Sequence, residues 1–180
     1  MNFEKKATPI PGCFELIPKI HSDERGLFVK TFHEEDFSAL GLETCFREEY
    51  YSISKRGVLR GMHFQKPPHD HVKVVYACSG RVFDAVIDLR KDSPAFGKYA
   101  VFELDSVKGN ILYIPKGLAH GFYVMSESAI MVYKVSTVYS KAYDSGVLWA
   151  SAGIPWPSSR PLISARDSMF PPLWDVDSPF

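Results

Sequence analysis

Four of the six histidines in this 180-residue chain fall in two short segments. HFQKPPHDH contains His63, His69 and His71, and PKGLAHGF contains His120. An imidazole can bind a metal, transfer protons near neutral pH or pack as a polar group, and its neighbours decide between these roles. The search for chemistry therefore starts at these two segments.

A metal centre is one chemistry that this pattern could support. The segment GNILYIPKGLAHGFYV resembles the second half of the cupin signature, and HDH supplies the paired histidines of its first half. That first half also needs a carboxylate shortly after the pair, but the next residues are VKVVYAC. Because imidazole sites are commonly completed by an acidic or a third imidazole ligand, we predict that no metal is bound. A metal-dependent cupin enzyme, such as a dioxygenase or an isomerase, remains an alternative.

Acid–base catalysis is the second chemistry. Four groups of different acidity lie on separate segments that a barrel could bring to one cavity: His63, Lys73, Tyr133 and Asp167. Each has a structural explanation when taken alone, since lysines are usually solvated, strand tyrosines usually pack in the core and aspartates often form turns. The sequence therefore indicates candidates for proton transfer without proving that they converge.

Short β-strands are the elements that must position these residues. Thirteen prolines and 12 glycines separate short runs rich in Val, Ile, Phe and Tyr, which is typical of an all-β chain. Besides GVLRGMHFQ, six runs predict strands of a sandwich or barrel: VKVVYACSG, RVFDAVIDLR, KYAVFEL, NILYIP, GFYVMS and AIMVYKVSTVYS. One helix is predicted over EEDFSALG, residues 34–41, and frequent prolines after Ala150 predict an ordered coil or a tail.

The predicted strand RVFDAVIDLR carries carboxylates on one face. Alternation directs Asp84 and Asp88 to the same side, which faces either a wet barrel interior or solvent. The opposite side is apolar and is predicted to belong to the core: Phe83, Ala85, Ile87 and Leu89.

Composition limits the class of protein. With 46% hydrophobic residues the chain can close one sizeable core, so a single domain over residues 1–180 is expected. Lys plus Arg and Asp plus Glu both number 21, which gives no general field for nucleic acid or a membrane surface. Because no apolar run approaches the roughly 20 residues that cross a bilayer, and MNFEKKATPIPG lacks a secretory signal, we expect a cytoplasmic protein. The three cysteines are expected to be reduced thiols.

Five segments resemble one enzyme family in the order in which they occur. They are RGVLRGMHFQKPP, VFDAVIDLRKDSPAFGKY, IPKGLAHGF, VYKVSTVYS and SARDSMFPPL, and the resemblance extends over roughly residues 10–173. The family is that of the dTDP-4-dehydrorhamnose 3,5-epimerases, which act on nucleotide-linked 4-keto sugars. With the predicted elements, the resemblance implies an all-β, cupin-like jelly-roll barrel with a short N-terminal helix and a Pro-rich C-terminal segment. It also implies catalysis without a metal or cofactor, and a homodimer whose subunits share strands.

The resemblance implies a role for each candidate residue. His63 would remove a proton from the sugar, and Asp167 would orient its imidazole. Lys73 would stabilise the enolate oxygen, and Tyr133 would return a proton on the opposite face. Residues implied in substrate binding are Arg25, Lys30, Glu48, Tyr50, Arg60, His120 and Arg166, with Arg60 at the diphosphate.

Several residues depart from the family pattern on the nucleotide side. Lys30 stands in DERGLFVKTF where a glutamate is usual, and Glu48 and Tyr50 stand in EEYYS in place of an amide pair. His71 and Ser79 also replace more frequent residues. We therefore expect inversion of C3, C5 or both in a nucleotide-diphosphate 4-keto-6-deoxyhexose or a related sugar such as a heptose. This reaction would serve deoxysugar biosynthesis for a surface polysaccharide or a glycosylated metabolite; a non-catalytic sugar-binding relative is a further alternative.

Overall fold

The computed structural model describes residues 2–180, which form thirteen β-strands, two short α-helices and one 3-10 helix. The strands are β1 (Phe3–Ala7), β2 (Phe14–Pro18), β3 (Ile20–Asp23), β4 (Gly26–Val29), β5 (Glu48–Lys55), β6 (Leu59–Gln65), β7 (Lys73–Ser79), β8 (Arg81–Asp88), β9 (Tyr99–Asp105), β10 (Ile111–Ile114), β11 (Leu118–Val124), β12 (Ser128–Val135) and β13 (Asp144–Gly146). The helices are α1 (Glu34–Ala39), α2 (Ala165–Ser168) and the 3-10 helix Leu173–Asp175. The six clearest predicted strands correspond to β7–β12, GVLRGMHFQ to β6 and the predicted helix to α1.

Eleven of these strands form two antiparallel sheets. The six-stranded sheet has the order β1-β2-β10-β7-β12-β5 and the five-stranded sheet the order β13-β6-β11-β8-β9, while β3 and β4 form a separate hairpin. The sheets pack face to face, because one buried apolar cluster joins Val75 and Met131 of the first to Val86 and Phe122 of the second. The all-β, cupin-like jelly roll expected from the sequence is confirmed.

The carboxylates of β8 are buried between the sheets. Asp84 and Asp88 are both fully buried. The sequence left open whether they face the barrel interior or solvent, and their burial excludes solvent. Asp88 is paired with Arg90, whose Nη2 lies 2.6 Å from Oδ2. Asp84 instead contacts His120, which places it beside the candidate site. The opposite face of β8 packs in a second buried cluster, as predicted.

The segment after residue 150 is an ordered coil that covers the outer face of the five-stranded sheet. Trp156 and Phe180 pack against the apolar cluster on that face. This packing fixes a segment whose prolines prevent it from forming sheet or a long helix. It also holds α2, which begins after Ser164, whose hydroxyl accepts a hydrogen bond from the backbone N–H of Asp167 at 3.0 Å.

Two further expectations concern membrane-spanning segments and the cysteines. Within residues 2–180, no helix is long and apolar enough to cross a membrane. The three cysteines carry free thiols, of which Cys13 is buried and Cys45 and Cys78 are exposed.

Candidate active site

A cavity of about 330 Å³ opens between the two sheets. Most of the predicted site residues line it: Glu48, Tyr50, Arg60, His63, Lys73, His120, Tyr133 and Arg166. Side chains that the sequence did not assign to this site also line it, including Ser52, Gln65, His71, Tyr139 and Asp144. Asp167 reaches the site through its contact with His63. The cavity therefore brings together the candidates for proton transfer and most of those for substrate binding.

A bulge in β6 directs both Arg60 and His63 to this cavity. The two residues are three positions apart, a spacing that places side chains on opposite faces of a regular strand. His63 is opposite His120 on β11 and Arg60 is opposite Phe122, so three steps along β6 match two along β11. Gly61 occupies the irregular step, and its φ is 140°. A Cβ at this position would lie only 2.5 Å from the Cα of Gly121 on β11, so the step requires glycine.

His63 and Asp167 form a dyad across two segments. His63 Nε2 lies 2.9 Å from Asp167 Oδ1, and Asp167 Oδ2 accepts a hydrogen bond from the backbone N–H of Gly61 at 3.2 Å. Burial raises the pKa of Asp167, but its hydrogen bonds with His63 and Gly61 outweigh this effect and hold the pKa below its ordinary value. Burial lowers the pKa of His63 despite the carboxylate. A neutral imidazole with its proton on Nε2, toward Asp167, leaves Nδ1 as the basic atom.

Lys73 supplies a buried positive charge beside this dyad. Its Nζ donates a hydrogen bond to the backbone oxygen of His63 at 3.3 Å. Burial lowers the pKa of Lys73 to about 8, although the nearby carboxylates of Asp144 and Asp84 oppose the shift. A compact ammonium with few partners is suited to stabilise a developing oxyanion.

Tyr133 supplies a buried phenol from the other sheet. Its ring stacks on that of Tyr50, and its hydroxyl lies 3.4 Å from Ser52 Oγ. Burial raises the pKa of Tyr133 above its ordinary value. The phenol therefore keeps its proton at neutral pH and can donate it.

His120 is held by a carboxylate that the sequence did not assign to the site. Its Nε2 lies 2.8 Å from Asp84 Oδ2, and both residues are buried. Burial raises the pKa of Asp84, while His120 and Lys73 oppose that shift. The one signal in the sequence was the carboxylate face of the strand RVFDAVIDLR. Because a histidine bonded in this way has a fixed ring orientation, Asp84 is a positioning residue for His120.

Charged side chains of both signs stand around the rest of the cavity. Arg60 Nε donates a hydrogen bond to Ser54 Oγ at 2.9 Å, a bond that does not use the terminal nitrogens of the guanidinium. Arg166 Nη2 lies 2.6 Å from Asp144 Oδ2. Glu48 accepts a hydrogen bond from the backbone N–H of Tyr139 at 2.6 Å. Tyr139 lies in the coil that follows β12, and Asp144 is the first residue of the short strand β13. Neither residue belongs to a motif that could have marked it as part of the site.

Arg25 and Lys30 are the predicted site residues that one chain does not bring to the cavity. Arg25 lies at the tip of the β3–β4 hairpin and forms an exposed ion pair with Asp23, at 2.5 Å. Lys30 directly follows β4 and also lies outside the cavity lining. Their contacts with a substrate remain predictions.

The histidines of the HDH segment are not arranged as a pair of metal ligands. The ring of His69 stacks on Tyr143 with the centroids 4.4 Å apart, and His71 Nδ1 lies 3.3 Å from Gln65 Nε2. Among residues 2–180, no three His, Cys, Asp or Glu side chains come together in a group that could hold a metal ion. Catalysis without a metal remains a prediction.

Known proteins are similar to this chain in sequence and in the arrangement of their strands. The family model described as dTDP-4-dehydrorhamnose 3,5-epimerase matches residues 7–175. The chain is similar to a dTDP-4-dehydrorhamnose 3,5-epimerase of Shigella flexneri, with 42% identity over 163 residues, 89% of this chain and 90% of the relative. A dTDP-4-dehydrorhamnose 3-epimerase of Streptomyces niveus is 37% identical over 161 residues, 88% of this chain and 78% of the relative. A Bacillus anthracis dTDP-4-dehydrorhamnose 3,5-epimerase, crystallised with TDP and PPi, is 35% identical, with a TM-score of 0.92 over 94% of this chain and 99% of that chain.

Proposed function

Since the chain belongs to the dTDP-4-dehydrorhamnose 3,5-epimerase family, a family of isomerases acting on nucleotide sugars, we propose how its own residues carry out an epimerisation. The substrate is a dTDP-linked 4-keto-6-deoxy sugar of deoxysugar biosynthesis. Inversion takes place at C3, at C5 or at both carbons. The relatives include 3,5-epimerases and a 3-epimerase, and they therefore support inversion at both carbons or at C3 alone.

The positions of His63 and Tyr133 on opposite walls of the cavity carry the proposal. His63 belongs to the five-stranded sheet through β6, and Tyr133 belongs to the six-stranded sheet through β12. A sugar ring held between the sheets has His63 toward one face and Tyr133 toward the other. Inversion needs such an arrangement, because the proton must leave from one face and return to the other.

The reaction begins with removal of a proton next to the ketone. Protons at C3 and C5 are acidic because the resulting carbanion delocalises onto the C4 oxygen. His63 Nδ1 takes the proton, Asp167 stabilises the imidazolium, and Lys73 stabilises the enolate oxygen. His120 lines the same space and contributes to binding near C4. No cofactor is needed, because the ketone of the substrate accepts the electron pair.

Protonation from the other face completes the inversion. Tyr133 gives its hydroxyl proton to the carbon, so the C–H bond forms on the face opposite His63. The phenolate then regains a proton from solvent, and His63 releases the proton that it took. The enzyme returns to its starting state with no net change in charge.

The nucleotide end of the substrate meets the arginines of the cavity. Arg60 and Arg166 contact the diphosphate, for which a planar guanidinium is suited. The protein acts as a homodimer in which the β3–β4 hairpin of a second copy brings Arg25 and Lys30 to the cavity. Lys30 and Glu48 then contact the nucleoside or sugar in place of the residues usual in the family.

Solvent deuterium tests the proposed function directly. The protein is incubated in deuterated water with dTDP-4-keto-6-deoxyglucose and, separately, with a nucleotide-linked 4-keto heptose, and C3 and C5 are followed by NMR. We expect deuterium at the inverted carbons of the preferred substrate. His63→Ala should reduce this incorporation about 100- to 10,000-fold, the usual contribution of a general base. If the protein binds these sugars but incorporates deuterium into none of them, it is a non-catalytic relative.

A further inference from the structure

Tyr50 covers one face of the phenol that acts as the proton donor. In the antiparallel pair of β5 and β12, Tyr50 is directly opposite Tyr133, so both side chains leave the sheet on the same face. Their ring centroids are 4.8 Å apart and the ring planes differ by 16°, which describes a stacked pair. Tyr50 remains 42% exposed, whereas Tyr133 is 8% exposed. Tyr50 therefore stands between the buried ring and the mouth of the cavity.

The contacts of Tyr133 with Ser52 and His120 restrain its ring less than the stack on Tyr50 does. Its hydroxyl is 3.4 Å from Ser52 Oγ, which is long for a hydrogen bond between two hydroxyls. His120 approaches through its edge, with the ring centroids 6.4 Å apart. A hydroxyl without a strong partner is free to give its proton to a substrate carbon. Its position then depends on how the ring is held, and the stacked face is the closest of the ring contacts.

We propose that Tyr50 is a positioning residue whose ring holds Tyr133 at the face of the sugar opposite His63. This inference rests on the proposed function, in which Tyr133 delivers the proton. Each carbanion has two fates, since it can be protonated by Tyr133 with inversion or by His63 with retention. By fixing the Tyr133 ring, Tyr50 increases the fraction that is inverted. The aromatic ring of Tyr50 carries this effect, and its hydroxyl is not required.

A role in substrate binding makes a different prediction for the same residue. If the Tyr50 hydroxyl bound the sugar or the nucleotide, its removal would raise KM and leave the ratio between the two fates unchanged. If the ring holds Tyr133, removal of the ring changes the ratio and removal of the hydroxyl does not. Tyr50→Phe and Tyr50→Asn separate these roles, because the first keeps the stacked ring and the second replaces it with a small amide.

The experiment measures inversion and solvent exchange at the same carbon by NMR in deuterated water. In Tyr50→Asn the ratio of inversion to exchange should fall about 2- to 12-fold, which corresponds to the usual range for an aromatic pair. Tyr50→Phe should keep the wild-type ratio. Tyr51→Asn is the matched control, because Tyr51 is the next residue of β5, points to the other face and is 66% exposed; it should also keep that ratio.

Two results would overturn the role of Tyr50. One is a wild-type ratio in Tyr50→Asn, and the other is an equal loss in Tyr50→Phe and Tyr50→Asn. If the wild-type protein exchanges no deuterium with any sugar, the proposed function itself fails. NMR of ¹³C-labelled tyrosine without substrate gives an independent test: Tyr50→Asn should sharpen the Tyr133 ring signals through faster ring motion, and Tyr50→Phe should not. Unchanged line widths of these signals in Tyr50→Asn would contradict the proposed restraint.

Discussion

Replacing Asp167 by asparagine should disable the base while the fold is kept. Asp167 Oδ1 lies 2.9 Å from His63 Nε2, and Oδ2 accepts the backbone N–H of Gly61 at 3.2 Å. In Asp167→Asn the amide oxygen can keep the bond to Gly61, which turns the amide nitrogen toward the imidazole. Because an amide nitrogen only donates, His63 must accept with Nε2 and carry its proton on Nδ1. Nδ1 is the atom that has to be unprotonated to take the proton of the sugar.

The size of this effect follows from two contributions. A hydrogen bond to a charged group contributes about 1.5–3 kcal/mol, which corresponds to a loss of about 10- to 150-fold in the rate of proton removal. The unfavourable tautomer increases the loss toward the roughly 10,000-fold measured for the same substitution in a serine protease triad. We therefore expect proton removal to slow at least about 10-fold.

Deuterium incorporation is the suitable assay, because it reports proton removal whether or not inversion follows. Asp167→Asn should lower incorporation and inversion by the same factor, with little change in KM. Asp177→Asn is the control, since it makes the same change of charge in the same C-terminal segment, where Asp177 forms an exposed ion pair with Lys91. Incorporation within twofold of wild type in a folded Asp167→Asn protein would refute the dyad.

Four further predictions follow from the site and from the proposed assembly. The kcat/KM should fall above pH about 8, because burial lowers the pKa of Lys73 to about 8 and only its protonated form stabilises the enolate; a pH–rate profile that stays flat well above this value would contradict that role. Arg60→Ala should raise KM about 10- to 150-fold with kcat largely kept, since the guanidinium contacts the diphosphate and not the reacting carbons; steady-state kinetics that show a loss in kcat alone would contradict this. Light scattering at micromolar concentration should give a dimer, and a monomer would leave Arg25 without access to a cavity. Metal analysis should find no stoichiometric iron, zinc or manganese, and activity lost on chelation would favour the metal-dependent alternative.

The strands that could be predicted from the sequence are those whose apolar pattern reports burial. The runs β7, β8, β10 and β11 are rich in apolar residues because most of their side chains are buried. In β12 and in the edge strand β9, buried residues alternate with more exposed ones, a pattern that also indicates a strand. In contrast, β5 reads EEYYSISK and lies at the edge of its sheet with exposed side chains, so its pattern does not indicate a strand. The same holds for β1, FEKKA, in which four of five residues are exposed. Pairing at a sheet edge depends on the partner strand and leaves little trace in local sequence.

The site residues that belong to a sequence motif could be predicted. The contacts that depend on strand register could not. His63, Lys73, Tyr133 and Asp167 could be selected by type and resemblance, but their convergence depends on the packing of two sheets and a C-terminal coil. The contact between Asp84 and His120 depends on the register of β8 and β11. These contacts follow from tertiary structure, which no short segment encodes by itself.

Solvent exchange in Tyr133→Phe tests the central claim that base and acid address opposite faces of the sugar. The substitution keeps the ring that stacks on Tyr50 and removes only the hydroxyl. His63 can still remove the proton and return a deuteron on the same face. We therefore predict deuterium at C3, C5 or both with the original configuration retained. Inversion at the wild-type rate in Tyr133→Phe would contradict the account.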